Sequence, residues 1–431
     1  MRNILNKTLQ SVIKMERKSQ IDVIYLSYES NPLTSITIQF HIIKHTIPST
    51  KILYREEGKE DWKETEGEYK RPPATDNPPP HTDKRRWVCF TKLEGLNSGT
   101  KYEFKVKENT EKTYNFKTMP ENLVNKEIKI AIVSDCHGFS FSSDDYFQEI
   151  TEMIGEKGFN ADIVLGAGDY TYGEGRGRKN DGNTWFGLLK TYQQNAITSD
   201  NCLIPFLPAL GNHDVNHVTS NSERKPENAK HYSSLFCFPT KNDEPIQKFG
   251  LGNLVFGSYL QILILDTGTS TYGINDNEQL DFLDNIDGTI KHIIPVYHRA
   301  MHGIRDGNVW NSEGIQEMFA KTFYDNGVNV VVEAHNHTWN YTASLGYDEN
   351  EHLKLDENGF VLLGEGCWGY DGTARNVDGW ENSNFILDAK GLDKDIENAR
   401  HFWGITISEN SIKWEAMNYK GEVIYSDTKN V

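Results

Sequence analysis

Five short stretches place imidazole, carboxylate and amide groups at the ends of apolar runs: Asp135 and His137 in SDCHG, Asp169 in GDYTY, Asn212, His213 and Asp214 in GNHD, His298 in IIPVYHR, and His335 and His337 in EAHNH. These side chains are ligand types for first-row metal ions, and two ions a few ångströms apart need a carboxylate that can bridge them. His335 and His337 lie two apart, so in an extended segment both point the same way. The same spacing sets Asp135 and His137 on one side and turns Cys136 away.

The elements that must position these groups are the runs themselves. IKIAIVS, ADIVLGAG, LQILILDTG, IKHIIPV and VNVVVEA are near-continuous and rich in β-branched residues, the pattern of strands buried on both faces. The stretches between them are long enough for helices, as in DDYFQEITEMIGEKG from Asp144. In open α/β sheets, sites assemble beyond the carboxyl ends of strands, so these loops can converge on one place.

The texture differs upstream. Between residues 20 and 120 the apolar residues alternate in short runs, as in ITIQFHI (36–42) and YEFKV (102–106), the pattern of half-buried strands. In LEGLNSGTKYEFKV, Tyr102 leads a strand soon after a turn, which matches the tyrosine corner of a fibronectin type III or immunoglobulin-like sandwich. KRPPATDNPPPHTDKRR (70–86) is too rich in proline and charge for a core and reads as a long surface loop. The expected organisation is an extension over 1–19 with a short amphipathic helix, an all-β sandwich over 20–120, and an α/β catalytic domain over 126–431.

Sixty-two acidic and 45 basic residues give a formal charge of −17, which repels phosphate backbones and disfavours nucleic acid as a partner. No apolar stretch approaches the roughly 18 to 20 residues of a membrane span. Cys89, Cys136, Cys202, Cys237 and Cys367 are scattered without CxxC spacing, so free thiols are expected rather than a disulfide framework. The first 20 residues lack the apolar run of a signal peptide, and the reading is a cytoplasmic protein.

Taken together, DxH, GDxxY, GNHD, a strand-ending His and HxH resemble the calcineurin-like metallophosphoesterase superfamily, and the sandwich in front resembles the purple acid phosphatases. The resemblance covers roughly Pro32 to the C-terminus, including the closing strands in FWGITISENSIKWEAMNYKGEVIYS (402–426). It implies a catalytic domain with a β-sandwich core flanked by helices. It also implies two metal ions, iron with iron, zinc or manganese. The first would be held by Asp135, Asp169 and His337, the second by Asp169, Asn212, His298 and His335, with Asp169 bridging.

The expected reaction is hydrolysis of small phosphorylated substrates, phosphomonoesters foremost. The ions would lower the pKa of a water from 15.7 towards roughly 7 for in-line attack on phosphorus. His213 matches the group that assists the leaving oxygen, with Asp214 placed to orient it. Purple phosphatases lack a His in the first motif and complete the first metal with the Tyr of GDxxY, whereas this chain has both His137 and Tyr172. Both are expected as ligands. The substrate contacts of the family lie just after the strand-ending His, where HRAMHGIR offers Arg299, His302 and Arg305; His302 and Arg299 are the candidates. The competing readings are a phosphodiesterase acting on nucleotide or lipid-type diesters, and a non-catalytic protein that keeps the fold and docks a protein or surface through its sandwich.

Overall fold

The computed structural model describes residues 20–74, 85–137, 144–171, 182–215, 226–237, 250–268, 277–350, 352–366, 368–369, 375–391 and 395–431. The expected helix within 1–19, the middle of the proline-rich loop and Tyr172 lie outside these residues.

The chain begins as two four-stranded antiparallel sheets. In one, Gln20–Ser27, Ile36–Ile43, Arg86–Leu93 and Glu68–Lys70 are neighbours; in the other, Lys63–Thr65, Ile52–Glu56, Lys101–Val106 and Asn109–Lys117. The inner faces are those the alternation marks: Tyr102, Phe104 and Val106 are buried while Glu103 and Lys105 between them are half-exposed. Tyr102 closes the corner by accepting a hydrogen bond from Asn97 N at 2.8 Å, five residues upstream.

Two further sheets follow. A six-stranded sheet runs Phe206–Pro208, Ile163–Gly166, Ile128–Val133, His401–Ile407, Ser411–Asn418 and Val423–Asn430. A seven-stranded sheet runs Gly252–Phe256, Leu260–Ile264, His292–Arg299, Val330–Ala334, Val361–Gly364, Thr338–Thr342 and Ile386–Gly391. Both are mixed, with a parallel part that contains the five apolar runs. Because those parallel strands are covered on both faces, the runs carry no alternation. One core cluster joins residues of both sheets, Ile130 and Ile132 with Val330 and Val332 among them.

Helices cover the outside. In Asp144–Ile154, Phe147, Ile150 and Ile154 recur at helical spacing and are buried, with Phe147 packed on Trp368 at a centroid distance of 4.5 Å. In Gly182–Asn195, Trp185, Leu188, Leu189 and Tyr192 form the buried stripe. This second helix is also the seat of the sandwich. Ile24 N donates to Gln193 Oε1 at 2.9 Å and the Arg86 guanidinium lies over Phe186 at 3.9 Å, while Tyr25 Oη donates to Leu235 O at 2.5 Å at the end of the short helix Lys230–Leu235. Arg86 is held by Asp22 at 2.8 Å, and Lys190 reaches the same carboxylate at 3.3 Å. The carboxyl of Asp22 is half-buried, which alone would raise it, but Arg86 and Lys190 outweigh that and hold it below its ordinary value.

Two buried histidines outside the cluster make stability depend on pH. Burial, and then the charge of Arg86, push His41 well below its ordinary value. Burial likewise pushes His292 down to about 4 against the hydrogen bond to Ser408 O. The unfolded chain takes up these protons first, so stability is complete above the unfolded pKa of about 6.5 and is lost as pH falls below it, for His292 until about 4. For His292 the loss between pH 7.5 and 5 is on the order of 2 kcal/mol. Thermal midpoints at those two pH values should lie closer together in His292→Gln than in wild type; an unchanged gap would remove His292 from the acid response.

Candidate metal centre

The loops converge because two of them touch backbone to backbone. Gly168, at φ 100°, and Gly211 are so close that a Cβ on Gly168 would lie 2.6 Å from Gly211 Cα, and one on Gly211 would collide with Asp169 N. Any side chain at either position would force apart the loops that carry Asp169 and Asn212. Asp214 ties the same corner. Its Oδ2 accepts from Asp169 N at 2.7 Å and Gly211 N at 2.9 Å, and its Oδ1 from Tyr170 N at 3.0 Å.

The ligand candidates themselves are held in an uncommon backbone conformation. Asp135, His137, Asp169, His335 and His337 all have φ between 44° and 74°, five of the nine non-glycine residues with positive φ among the described residues. Left-handed conformations of such residues cost on the order of 1 kcal/mol each and persist where the surroundings over-determine them. Hydrogen bonds supply that determination: Asp135 N to Gly168 O at 3.0 Å, His137 N to Asp169 O at 3.1 Å, and His335 N to Asp135 Oδ2 at 3.0 Å. Ser134 Oγ also donates to Asp135 Oδ2 at 2.9 Å.

Neither ligand pair is therefore extended, and the two-residue alternation is not what aims them. Asp135 and His137 do meet, but His335 and His337 turn to different places. His337 joins Asp135, His137 and Asp169, while His335 joins His298 and Asp169. Within each group the side-chain nitrogens and oxygens lie within 4.8 Å of one another, and Asp169 belongs to both. Cys136 Sγ donates to Tyr170 O at 3.2 Å and stands outside the groups. Asn212 is buried in the turn beside Gly211.

These distances suit ions. Ligand atoms about 2.1 Å from a common ion lie about 3.0 to 3.4 Å from their neighbours around it. In the first group His137 Nε2 is 3.1 Å from His337 Nε2, and His337 Nε2 is 3.2 Å from Asp135 Oδ1. In the second, His335 Nδ1 is 3.2 Å from His298 Nε2, which is 3.1 Å from Asp169 Oδ2. Asp135 Oδ1 and Asp169 Oδ2 are buried, and among the described residues the imidazole nitrogens beside them are their partners, an arrangement that a cation relieves.

Protonation points the same way. Burial alone would raise Asp169, but His298 and His213 outweigh it and hold the carboxyl well below its ordinary value. Asp135 is likewise lowered despite burial, by His337 and His298. Burial pushes His137 down to about 3 and His335 well below its usual range. Ionised carboxylates and neutral imidazoles are the forms that coordinate. His298 differs: burial would lower it, yet the Asp169 carboxylate lifts it to about 9, which marks the place where positive charge is favoured.

The other expected residues lie around this cluster. His213 is at its edge, 28% exposed, with Nε2 4.0 Å from Asp169 Oδ2 and its backbone N donating to Asp169 Oδ1 at 2.6 Å. Asp214 does not orient the His213 ring as expected; its oxygens are taken up by the backbone amides of the adjoining loop. His302 also departs from its expected place against phosphate. Its ring is buried, with Nδ1 3.2 Å from Asn311 Oδ1 and Nε2 2.8 Å from Ser383 Oγ. Arg299 reaches the cluster through Nη1, 3.5 Å from His335 Nε2.

Two residues were not singled out from the sequence as part of the site. Arg305 Nη1 is 2.7 Å from His335 Nε2, and nothing in HRAMHGIR distinguishes it from a solvated arginine. Glu333 is fully buried, and its Oε2 accepts from Met301 N at 2.8 Å and Tyr297 Oη at 3.3 Å, fixing the loop after His298. A carboxylate inside the run VVVEA was its visible signal.

Comparison with known proteins agrees with this arrangement. Residues 128–339 match the calcineurin-like phosphoesterase family, and residues 21–118 match the purple acid phosphatase N-terminal domain. Among solved structures, purple acid phosphatase PPD1 from yellow lupin (Lupinus luteus) seeds is 15% identical, with a TM-score of 0.69 over 94% of this chain and 74% of that one. PhoD is 12% identical, with a TM-score of 0.61 over 95% of this chain and 88% of that one. No curated protein matches the chain. The fold and the buried Asp/His cluster define a calcineurin-like metallophosphoesterase, a hydrolase. Its N-terminal domain matches the N-terminal domain of purple acid phosphatases, in front of that catalytic domain.

Proposed function

We propose that the protein hydrolyses phosphomonoesters at a two-metal centre. The observation that carries this reading is the pair of ligand groups sharing Asp169. Asp135, His137, Asp169 and His337 would hold one ion, with Tyr172 a further ligand if that ion is ferric; Asp169, Asn212, His298 and His335 would hold the other. Iron with iron, zinc or manganese suits these nitrogen and oxygen donors. Bound ions would supply Lewis acidity at the phosphoryl oxygens and an activated water.

The protein's own groups do the rest. Asp169 is fixed on both sides, through its backbone by Asp214 and through its Oδ1 by His213 N, so it can bridge without reorganising. His213, outside both groups and open to solvent, is placed to carry a proton to the leaving oxygen. A monoester carries up to two negative charges on its phosphoryl group and a diester one. The guanidinium groups of Arg299 and Arg305 at the mouth favour the former.

The test compares an aryl phosphate monoester with the matching diester on one preparation, across pH. At least about tenfold higher kcat/KM is expected for the monoester, since one extra charge–guanidinium contact is worth about 1.4 kcal/mol or more. The reverse order would make the protein a phosphodiesterase.

A further inference from the structure

The hairpin His302–Arg305 and Asn308–Asn311 stands beside the cluster, and its two faces do different things. Side chains two apart on a strand share a face, so Gly303 and Arg305 look one way and His302 and Ile304 the other. The first face meets the loop of His335 and His337: Arg305 Nη1 is 2.7 Å from His335 Nε2, and a Cβ on Gly303 would lie 2.5 Å from Asn336 Nδ2. The second face carries the cross-strand pairs His302 with Asn311 and Ile304 with Val309. There Ile304, Val377, Ile386 and Ala389 form a small buried cluster, with Val309 and Trp380 against it.

The ring of His302 belongs wholly to this second face. Asn311 Oδ1 can only accept, and it already accepts from Gln316 Nε2, so His302 Nδ1, 3.2 Å away, carries the proton. Nε2 must then accept, and Ser383 Oγ donates to it at 2.8 Å. The Ser383 oxygen in turn accepts from Phe385 N and Ile386 N, each at 3.1 Å. Burial lowers the pKa of His302, which keeps the ring in this neutral form. Phe385 closes the side, its ring centroid 5.2 Å from that of His302. Both ring nitrogens are used within the fold, and neither is left for a phosphate.

The same segment grips the other end of the hairpin. Asp306 and Gly307 turn it with φ 51° and 77°, the two positive values of a type I′ turn. Arg375 Nη1 donates to Asp306 Oδ1 at 3.2 Å and Oδ2 at 3.1 Å, and Gly307 N donates to Asn376 O at 2.8 Å. Asp306 Oδ2 also lies 3.7 Å from Arg305 Nε, so the tip contact ends on the stem of that arginine. We infer that His302 is a positioning residue. With Ser383 at the base, and Arg375 and Asp306 at the tip, it clasps the hairpin to the segment 375–386 and so sets Arg305 beside His335, where an incoming phosphate meets it. Its part in turnover rests on the phosphohydrolase reading; its part in holding phosphate does not.

The full-length protein, with the metals it carries on purification, is assayed on an aryl phosphate, and inorganic phosphate is titrated into it calorimetrically. Arg305 lies beyond Nε2 of the His335 ring, whose Nδ1 faces the ligand atoms, so the clasp should act on binding more than on chemistry. Ser383→Ala should raise KM and the phosphate Kd about fivefold or more, with metal content unchanged and kcat within about twofold. Ser383→Thr keeps the hydroxyl and should restore both constants. His302→Phe should match Ser383→Ala, the two together should be no worse than either, and neither should matter in an Arg305→Met background. Unchanged KM and Kd in Ser383→Ala would overturn the inference while leaving hydrolysis in place, as would full additivity with His302→Phe or an undiminished effect in Arg305→Met. If the wild type turns over no aryl phosphate but the phosphate Kd follows the expected pattern, the clasp stands and the phosphohydrolase reading falls.

Discussion

Replacing Asp169 by Ala should lower turnover by about 10³-fold or more and leave at most one metal ion per chain. The size follows from the position, not from the charge alone. Asp169 belongs to both ligand groups, so its loss removes the shared ligand and with it the electrostatic activation of water and phosphoryl oxygen, worth several kcal/mol. About 4 kcal/mol corresponds to about 10³ in rate. Its carboxylate also accepts His213 N at 2.6 Å, so the variant loosens the corner that carries Asn212 and His213. Asp169→Asn keeps the shape and removes the charge, and should lose nearly as much. A variant that keeps two ions and hydrolyses within about tenfold of wild type would show that Asp169 does not bridge.

The second large effect is expected at His213, and its pattern differs. His213→Ala should retain metal but lose about 10²- to 10⁴-fold in turnover, the range for removal of a positioned proton donor. The ring stands outside both ligand groups, with Nε2 4.0 Å from Asp169 Oδ2 and its centroid 5.1 Å from that of the His137 ring. Truncation should therefore leave the ligands in place. The loss should shrink for substrates with acidic leaving groups, which need no proton. Unchanged turnover on an alkyl phosphate would remove His213 from the reaction, and loss of metal would make it a ligand instead.

The sequence was informative where local pattern and burial coincide. Continuous β-branched runs became strands covered on both faces, strand-end residues met at one place, and Tyr102 closed its corner. It misled where backbone conformation is imposed from outside. Alternation gave His335 and His337 an extended backbone, but both have positive φ, and it is in that conformation that His337 lies in one group and His335 in the other. No glycine or asparagine at these positions advertises that conformation; hydrogen bonds between loops 32 to 200 residues apart impose it on the ligand positions. Asp214 next to His213 suggested a partner for the ring, yet its oxygens go to buried backbone amides, which need acceptors more than a half-exposed imidazole does. His302 and Arg305 were exchanged for the same kind of reason. Hairpin pairing, which depends on contacts beyond HRAMHGIR, turns the histidine under and the arginine towards His335.

The most direct test of a two-metal centre is anomalous diffraction from crystals of the protein as purified, collected at the absorption edges of iron, zinc and manganese. Two peaks about 3.5 to 4 Å apart are expected, with Asp169 between them, one beside Asp135, His137 and His337 and the other beside His298 and His335. A single peak, or two that do not share Asp169, in protein that hydrolyses phosphate esters would contradict it.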